Sequence, residues 1–116
     1  MKLSLYDKAL SEVSKLLLTL SDKSDPSSLS NLFNTYYLRG KLHYLLSDFK
    51  TALINLNNAQ LLNEASNKVY LLKAMCYLSL GNLKKAKEEM ESVGITNNGA
   101  LGEKEIGKMR KMVRQN

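Results

Sequence analysis

At 116 residues with a formal charge of +6, the chain is long enough for one domain and one core, not two. Its 44% hydrophobic share is ordinary for a globular protein, and no run of about 18 apolar residues offers a membrane span. The basic excess permits acidic partners or nucleic acid but demands neither.

Met1-Lys2-Leu3 leads into Tyr6, Asp7, Lys8 and Glu12, which is no secretory hydrophobic stretch. The single cysteine, Cys76, has no partner for an internal disulfide. A reducing interior is expected, cytoplasmic, or nuclear in a eukaryote.

Residues 3–20 read as an amphipathic helix. Tyr6, Leu10, Val13, Leu17 and Leu20 recur at steps of three and four. Leu3, Ala9, Leu16 and Leu18 widen that face beyond what a lone surface helix carries. It needs a cover, from the rest of the chain, from another chain, or from both. Self-association through Tyr6, Leu10, Val13, Leu17 and Leu20 is one expectation.

Residues 21–30 break the pattern. Asp25 before Pro26 is a helix-start signal, with proline in the first turn. The spacing predicts helices from Pro26 to Leu46 and from Phe49 to Leu62. Asn55, Asn57, Asn58 and Asn63 lower the propensity of the second and are expected on its solvent face and at its end. After Asn63 to Ser66, further helices are predicted from Asn67 to Leu80 and from Leu83 to Ser92. Lys84, Lys85, Lys87, Glu88, Glu89 and Glu91 then read as a solvated face of opposite charges four apart. Gly94 to Gly102 reads as a loop. A last helix over 103–114 places Ile106, Met109, Met112 and Val113 on one side, among Lys104, Lys108, Arg110, Lys111 and Arg114. Such a helix can cap a repeat stack, or serve as a basic amphipathic helix for a partner.

The middle of the chain repeats at an offset of 34 residues: Tyr36 recurs as Tyr70, Gly40 as Ala74, Phe49 as Leu83, Ala52 as Ala86, Leu56 as Met90 and Ala59 as Val93. Small residues at Gly40, Ala52, Ala74 and Ala86 let paired helices approach, and large residues fill the space around them. The turns fall at Ser47-Asp48 and Gly81-Asn82.

This period and order of residue classes resemble the tetratricopeptide repeat. The resemblance implies an all-α fold. Two antiparallel hairpins, 33–66 and 67–94, stand between an N-terminal packing helix and a C-terminal capping helix, in a single domain over 1–116. Arg39 and Lys73 stand where the family usually has leucine, His43 where it has an aromatic, and Glu64 and Asn98 where it has proline. A third repeat is not supported, because Gly107 is one residue out of step.

The resemblance implies a protein-binding module. Its groove positions correspond here to Asn34, Tyr37, Lys41, Tyr44 and Leu45 in the first unit. In the second they correspond to Lys68, Leu71, Met75, Leu78 and Ser79. Tyrosine among aliphatic neighbours suits a helix or extended peptide, with Tyr37 and Tyr44 as anchors. With only two repeats, the first helix could also fill this groove from within. The carboxylate-clamp pattern of chaperone-binding repeats is met only loosely by Asn34, Lys41 and Lys68, and its function is not carried over.

Two narrower resemblances remain. Leu16 to Ser21, the polar loop, the first unit and Ala74 to Tyr77 look like the amino-terminal module of the repeat subunits of the anaphase-promoting complex, the small subunit seven above all. That implies a cell-cycle scaffold piece that pairs with a copy of itself as a homodimer. Total length and Gly107 to Arg110 look like the small chaperone that holds the needle protein of bacterial type III secretion. That implies a groove for an aggregation-prone helix.

No catalytic pattern is visible. His43 is the only histidine, so neither a metal cluster nor a triad can be assembled around it. Cys76 lies between Met75 and Tyr77 on an apolar stretch and reads as a buried thiol. No cofactor and no enzymatic activity are expected. Nucleic-acid binding is disfavoured, since the aromatics sit at core spacing and not among the lysines and arginines.

Overall fold

A computed structural model describes residues 2–20 and 25–96 of the chain. The described residues form an all-α fold: α1 (Lys2–Leu20), α2 (Pro26–Leu45), α3 (Phe49–Leu62), α4 (Asn67–Ser79) and α5 (Leu83–Thr96), with no strand among them. The loop expected after Gly94 and the helix expected over 103–114 lie largely or wholly outside the described residues. The chain divides into two compact units between Glu64 and Ala65.

The first unit holds α1, α2 and α3, with α2 packed against both of the others. Pro26 opens α2, and the Asp25 carboxylate accepts the Ser28 N–H at 3.0 Å. That capping bond satisfies one of the donors a helix start leaves free. α1 turns Val13, Leu17 and Leu20 inward, where all three are buried. The face expected for self-association is thus partly consumed inside the chain. Tyr6 and Leu10 are half-buried, while Leu5, Leu16 and Leu18 stay exposed.

α2 and α3 approach each other closely at Gly40. A Cβ added there would stand 2.9 Å from Leu56 Cγ and 3.3 Å from the Ala52 carbonyl oxygen. Glycine at this position is what allows the two backbones to close, and Ala52, Leu56 and Ala59 are fully buried. Burying a side chain such as Leu56 contributes about 1.5–3 kcal/mol.

Asn55 does not lie on the solvent face. It is 1% exposed, on the inner side of α3. Its Oδ1 accepts from Arg39 Nη1 at 3.2 Å, and its Nδ2 donates to the Thr51 carbonyl at 2.9 Å. A buried amide is tolerated because its polar atoms find partners. Asn57 is exposed, and Asn63 ends the helix as its C-cap.

The second unit pairs α4 with α5. Ala74, Ala86 and Met90 form its buried cluster, with Leu71, Met75, Tyr77 and Leu78 packed on it. Glu89 departs from the expected solvated row. It turns inward to Lys73, with 3.1 Å between Nζ and Oε1 and only 7% and 15% of the two side chains exposed. Lys84, Lys85, Lys87, Glu88 and Glu91 remain at the surface. α5 also runs through Gly94 to Thr96 instead of stopping at Ser92. A lone glycine costs a helix about 1 kcal/mol, too little to end one that buries Ala86, Met90 and Val93 on successive turns.

Candidate interaction surfaces

The two hairpin turns are copies of each other. Ser47 has φ 63° and Gly81 φ 79°, the left-handed conformation that commonly ends a helix. Ser47 N–H donates to Tyr44 O at 2.9 Å, and Gly81 N–H to Leu78 O at 3.0 Å. Asp48 N–H donates to His43 O and Asn82 N–H to Tyr77 O, both at 2.8 Å. The next helix is then capped from the same residue. Asp48 Oδ1 accepts the Thr51 N–H at 3.3 Å, and Asn82 Oδ1 the Lys85 N–H at 3.1 Å. Every member of one turn has its counterpart 34 positions on.

The same offset relates the polar pairs inside the hairpins. Arg39 corresponds to Lys73 and Asn55 to Glu89. In each hairpin a cation on the first helix thus crosses to an acceptor on the second. The sequence singles out all four residues, Asn55 and Glu89 as solvent-facing, without pairing them. The offset, applied to the polar positions as well, would have paired them.

The turn of the first unit carries the only histidine. His43 Nδ1 lies 3.4 Å from Asp48 Oδ2, and both ring nitrogens are buried. Hydrogen bonding from Thr51, and secondarily the proximity of His43, holds the Asp48 carboxyl below the usual aspartate value. Beside it the Tyr44 ring meets Phe49 edge-on, centroids 5.6 Å apart. Burial pushes the Tyr37 phenol above the ordinary tyrosine value.

Of the expected groove residues on α2, Asn34, Lys41 and Leu45 are exposed, and Tyr37 and Tyr44 half-buried. Tyr44 is therefore shared between the hairpin turn and the surface. Asn34 lines an open groove of about 350 Å³ between α1 and α2, with Val13, Leu16, Leu20, Asn31, Thr35 and Leu38. On α4, Lys68 and Ser79 are exposed, whereas Leu71, Met75 and Leu78 are half-buried on the unit's own cluster. The first five residues belong to one compact unit and the others to the second.

Cys76 is buried, and burial pushes its thiol up to about 11. That leaves it almost wholly protonated at neutral pH and a poor nucleophile. Among the described residues no group of three or more His, Cys, Asp or Glu side chains could hold a metal ion. No described helix is long and apolar enough to cross a membrane. The chain matches no family model, no curated protein and no solved structure.

Proposed function

We propose that this protein works by holding other polypeptides, as a non-enzymatic scaffold or adaptor subunit built on tetratricopeptide-like hairpins. The observation that carries the reading is the duplication of an entire turn. Capping hydrogen bonds, left-handed residue and cross-helix polar pair all recur 34 positions on. Chains that repeat one supersecondary unit are commonly used to hold other chains. Exposed Asn34, Lys41 and Leu45 beside half-buried Tyr37 and Tyr44 supply the aromatic and aliphatic anchors that dominate such contacts.

A scaffold subunit, of the kind the anaphase-promoting complex assembles, is favoured over a secretion chaperone by the state of α4. Its Leu71, Met75 and Leu78 pack on the unit's own Ala74, Ala86 and Met90, so the body is not waiting for a client to complete its core. The reading places the protein inside the cell, where Cys76 stays reduced. Cross-linking in the source cell, followed by purification and identification of the linked chains, tests it. Recovery within a multi-subunit assembly supports the scaffold. Recovery with one small secreted helical protein supports the chaperone, and a chain linked to no polypeptide overturns both.

A further inference from the structure

We infer that the groove between α1 and α2 holds an amphipathic helix of another protein, one with acidic residues on both flanks of its apolar stripe. The inference rests on the reading that this chain holds polypeptides, and it names one place and the chemistry of the occupant. Of the groove residues that the repeat resemblance implies, only Asn34 lines this trough.

The groove, of about 350 Å³, is apolar at its floor, where Val13 and Leu20 are buried. Its two rims carry leucines that folding has left in water: Leu16 on α1 is 47% exposed and Leu38 on α2 is 44% exposed. Each rim has one further exposed leucine on the same side of its helix, Leu5 on α1 and Leu45 on α2. Large side chains standing in line on both sides of one trough mark an interaction surface rather than scattered exposure. Helices of 19 and 20 residues are about 30 Å long. The trough therefore has the length to take a helix like its own walls, with large side chains seated between the leucines.

Charge selects the occupant. Lys8 stands one turn after Leu5, and Lys41 one turn after Leu38, so each rim leucine has a lysine as its surface neighbour. Both lysines are exposed, and neither is in an ion pair with a described residue. α1 and α2 pack on each other across a short link and run in opposite directions. At 1.5 Å per residue Lys8 and Lys41 each stand about 20 Å from that link, on opposite sides of the trough and near one level. Glu12, between Lys8 and Lys15 on α1, is engaged by Lys15 at 3.7 Å, so the rim is basic on balance.

Cations on both rims call for carboxylates on both sides of the occupant. A helix supplies them, because the residues bordering its apolar stripe project to either side. An amphiphile with a single acidic head meets one lysine only. A second copy laid groove to groove brings lysine against lysine, which opposes the contact.

The test selects ligands for the full chain from a displayed library of helical peptides of about 20 residues, with a fixed leucine stripe and randomised flanks. Fluorescence anisotropy then measures the selected peptide, and circular dichroism confirms that each variant folds. Aspartate and glutamate are expected on both flanks, with roughly micromolar binding. Lys8→Glu with Lys41→Glu weakens it at least about tenfold at low salt and favours the twin peptide with lysine flanks. Lys84→Glu with Lys87→Glu makes the same change of charge on α5 and shifts binding by less than about threefold. Leu38→Asp weakens it by about a hundredfold. Should Leu38→Asp unfold the chain, the two charge variants decide by themselves. No selected peptide, flanks without acidic residues, equal loss in the α5 variant, or binding indifferent to a folded Leu38→Asp chain each overturns the inference. So does a dimer in sedimentation that Leu38→Asp dissociates, since a second copy then fills the groove. A chain that selects no peptide yet cross-links to polypeptides in the cell sinks this inference and leaves the proposed function standing.

Discussion

The Lys73 ammonium and the Glu89 carboxylate lie 3.1 Å apart across the second hairpin, both nearly removed from water. Removing one partner leaves the other charge buried and uncompensated, which costs about 3–5 kcal/mol. Glu89→Ala and Lys73→Ala are therefore each expected to lower the denaturation midpoint sharply. Lys73→Met with Glu89→Leu, which removes both charges and keeps the volume, is expected to recover most of the loss. Urea unfolding of the three variants measures this. Equal destabilisation by the single and double replacements would refute it.

The two turns predict opposite responses to one exchange. Ser47 occupies the left-handed region with a Cβ, whereas Gly81 occupies it without one. A side chain in that conformation costs roughly 1 kcal/mol. Ser47→Gly is expected to stabilise by about 0.5–1 kcal/mol, and Gly81→Ala, with open space around its added methyl, to destabilise by about 1 kcal/mol. Thermal melts of the two variants check the sign of each.

Gly40 and Ala74 are equivalent positions that differ in tolerance. In an open helix Gly→Ala gains about 1 kcal/mol. At Gly40 the new methyl meets Leu56 Cγ at 2.9 Å and the Ala52 carbonyl at 3.3 Å, and overpacking of this kind costs about 1–3 kcal/mol. A net loss near 1 kcal/mol is expected for Gly40→Ala, and a much larger one for Gly40→Leu. A stabilised Gly40→Ala protein would show that α2 and α3 can separate without cost.

The first turn should be acid-sensitive where the second is not. The Asp48 carboxyl is held below its usual 3.8, chiefly by the Thr51 hydrogen bond and less by His43. A group depressed in the folded state contributes stability above its unfolded value and loses it as pH falls through the folded one. The loss therefore comes below about pH 4. Asn82, the counterpart in the second turn, does not titrate. Asp48→Asn is expected to flatten the acid limb of stability relative to the wild type, measured as midpoint against pH from 6 to 2. Identical slopes would mean that the capping bond contributes nothing.

Cys76 is expected to react with a disulfide reagent at pH 8 only as fast as the protein opens. Burial removes both access and thiolate, since its thiol is pushed up to about 11. The rate should rise by orders of magnitude in denaturant. Fast labelling of the native chain would place the thiol at the surface.

Much of the architecture is written along the chain, because helix starts, helix ends and apolar spacing are local properties. Asp25-Pro26 opens α2, and Ser47-Asp48 and Gly81-Asn82 separate paired helices at the expected places. What a linear reading could not decide was the direction in which a polar side chain turns. Asn55 and Glu89 sit among polar neighbours, and only the packing of α2 on α3 and of α4 on α5 brings Arg39 and Lys73 within reach of them. In the same way spacing defined an apolar face on α1. The tertiary fold then divided it, sinking Val13, Leu17 and Leu20 against the chain and leaving Leu5, Leu16 and Leu18 in water. Periodicity is a property of one helix, whereas burial depends on what lies opposite, and that is decided only when helices meet.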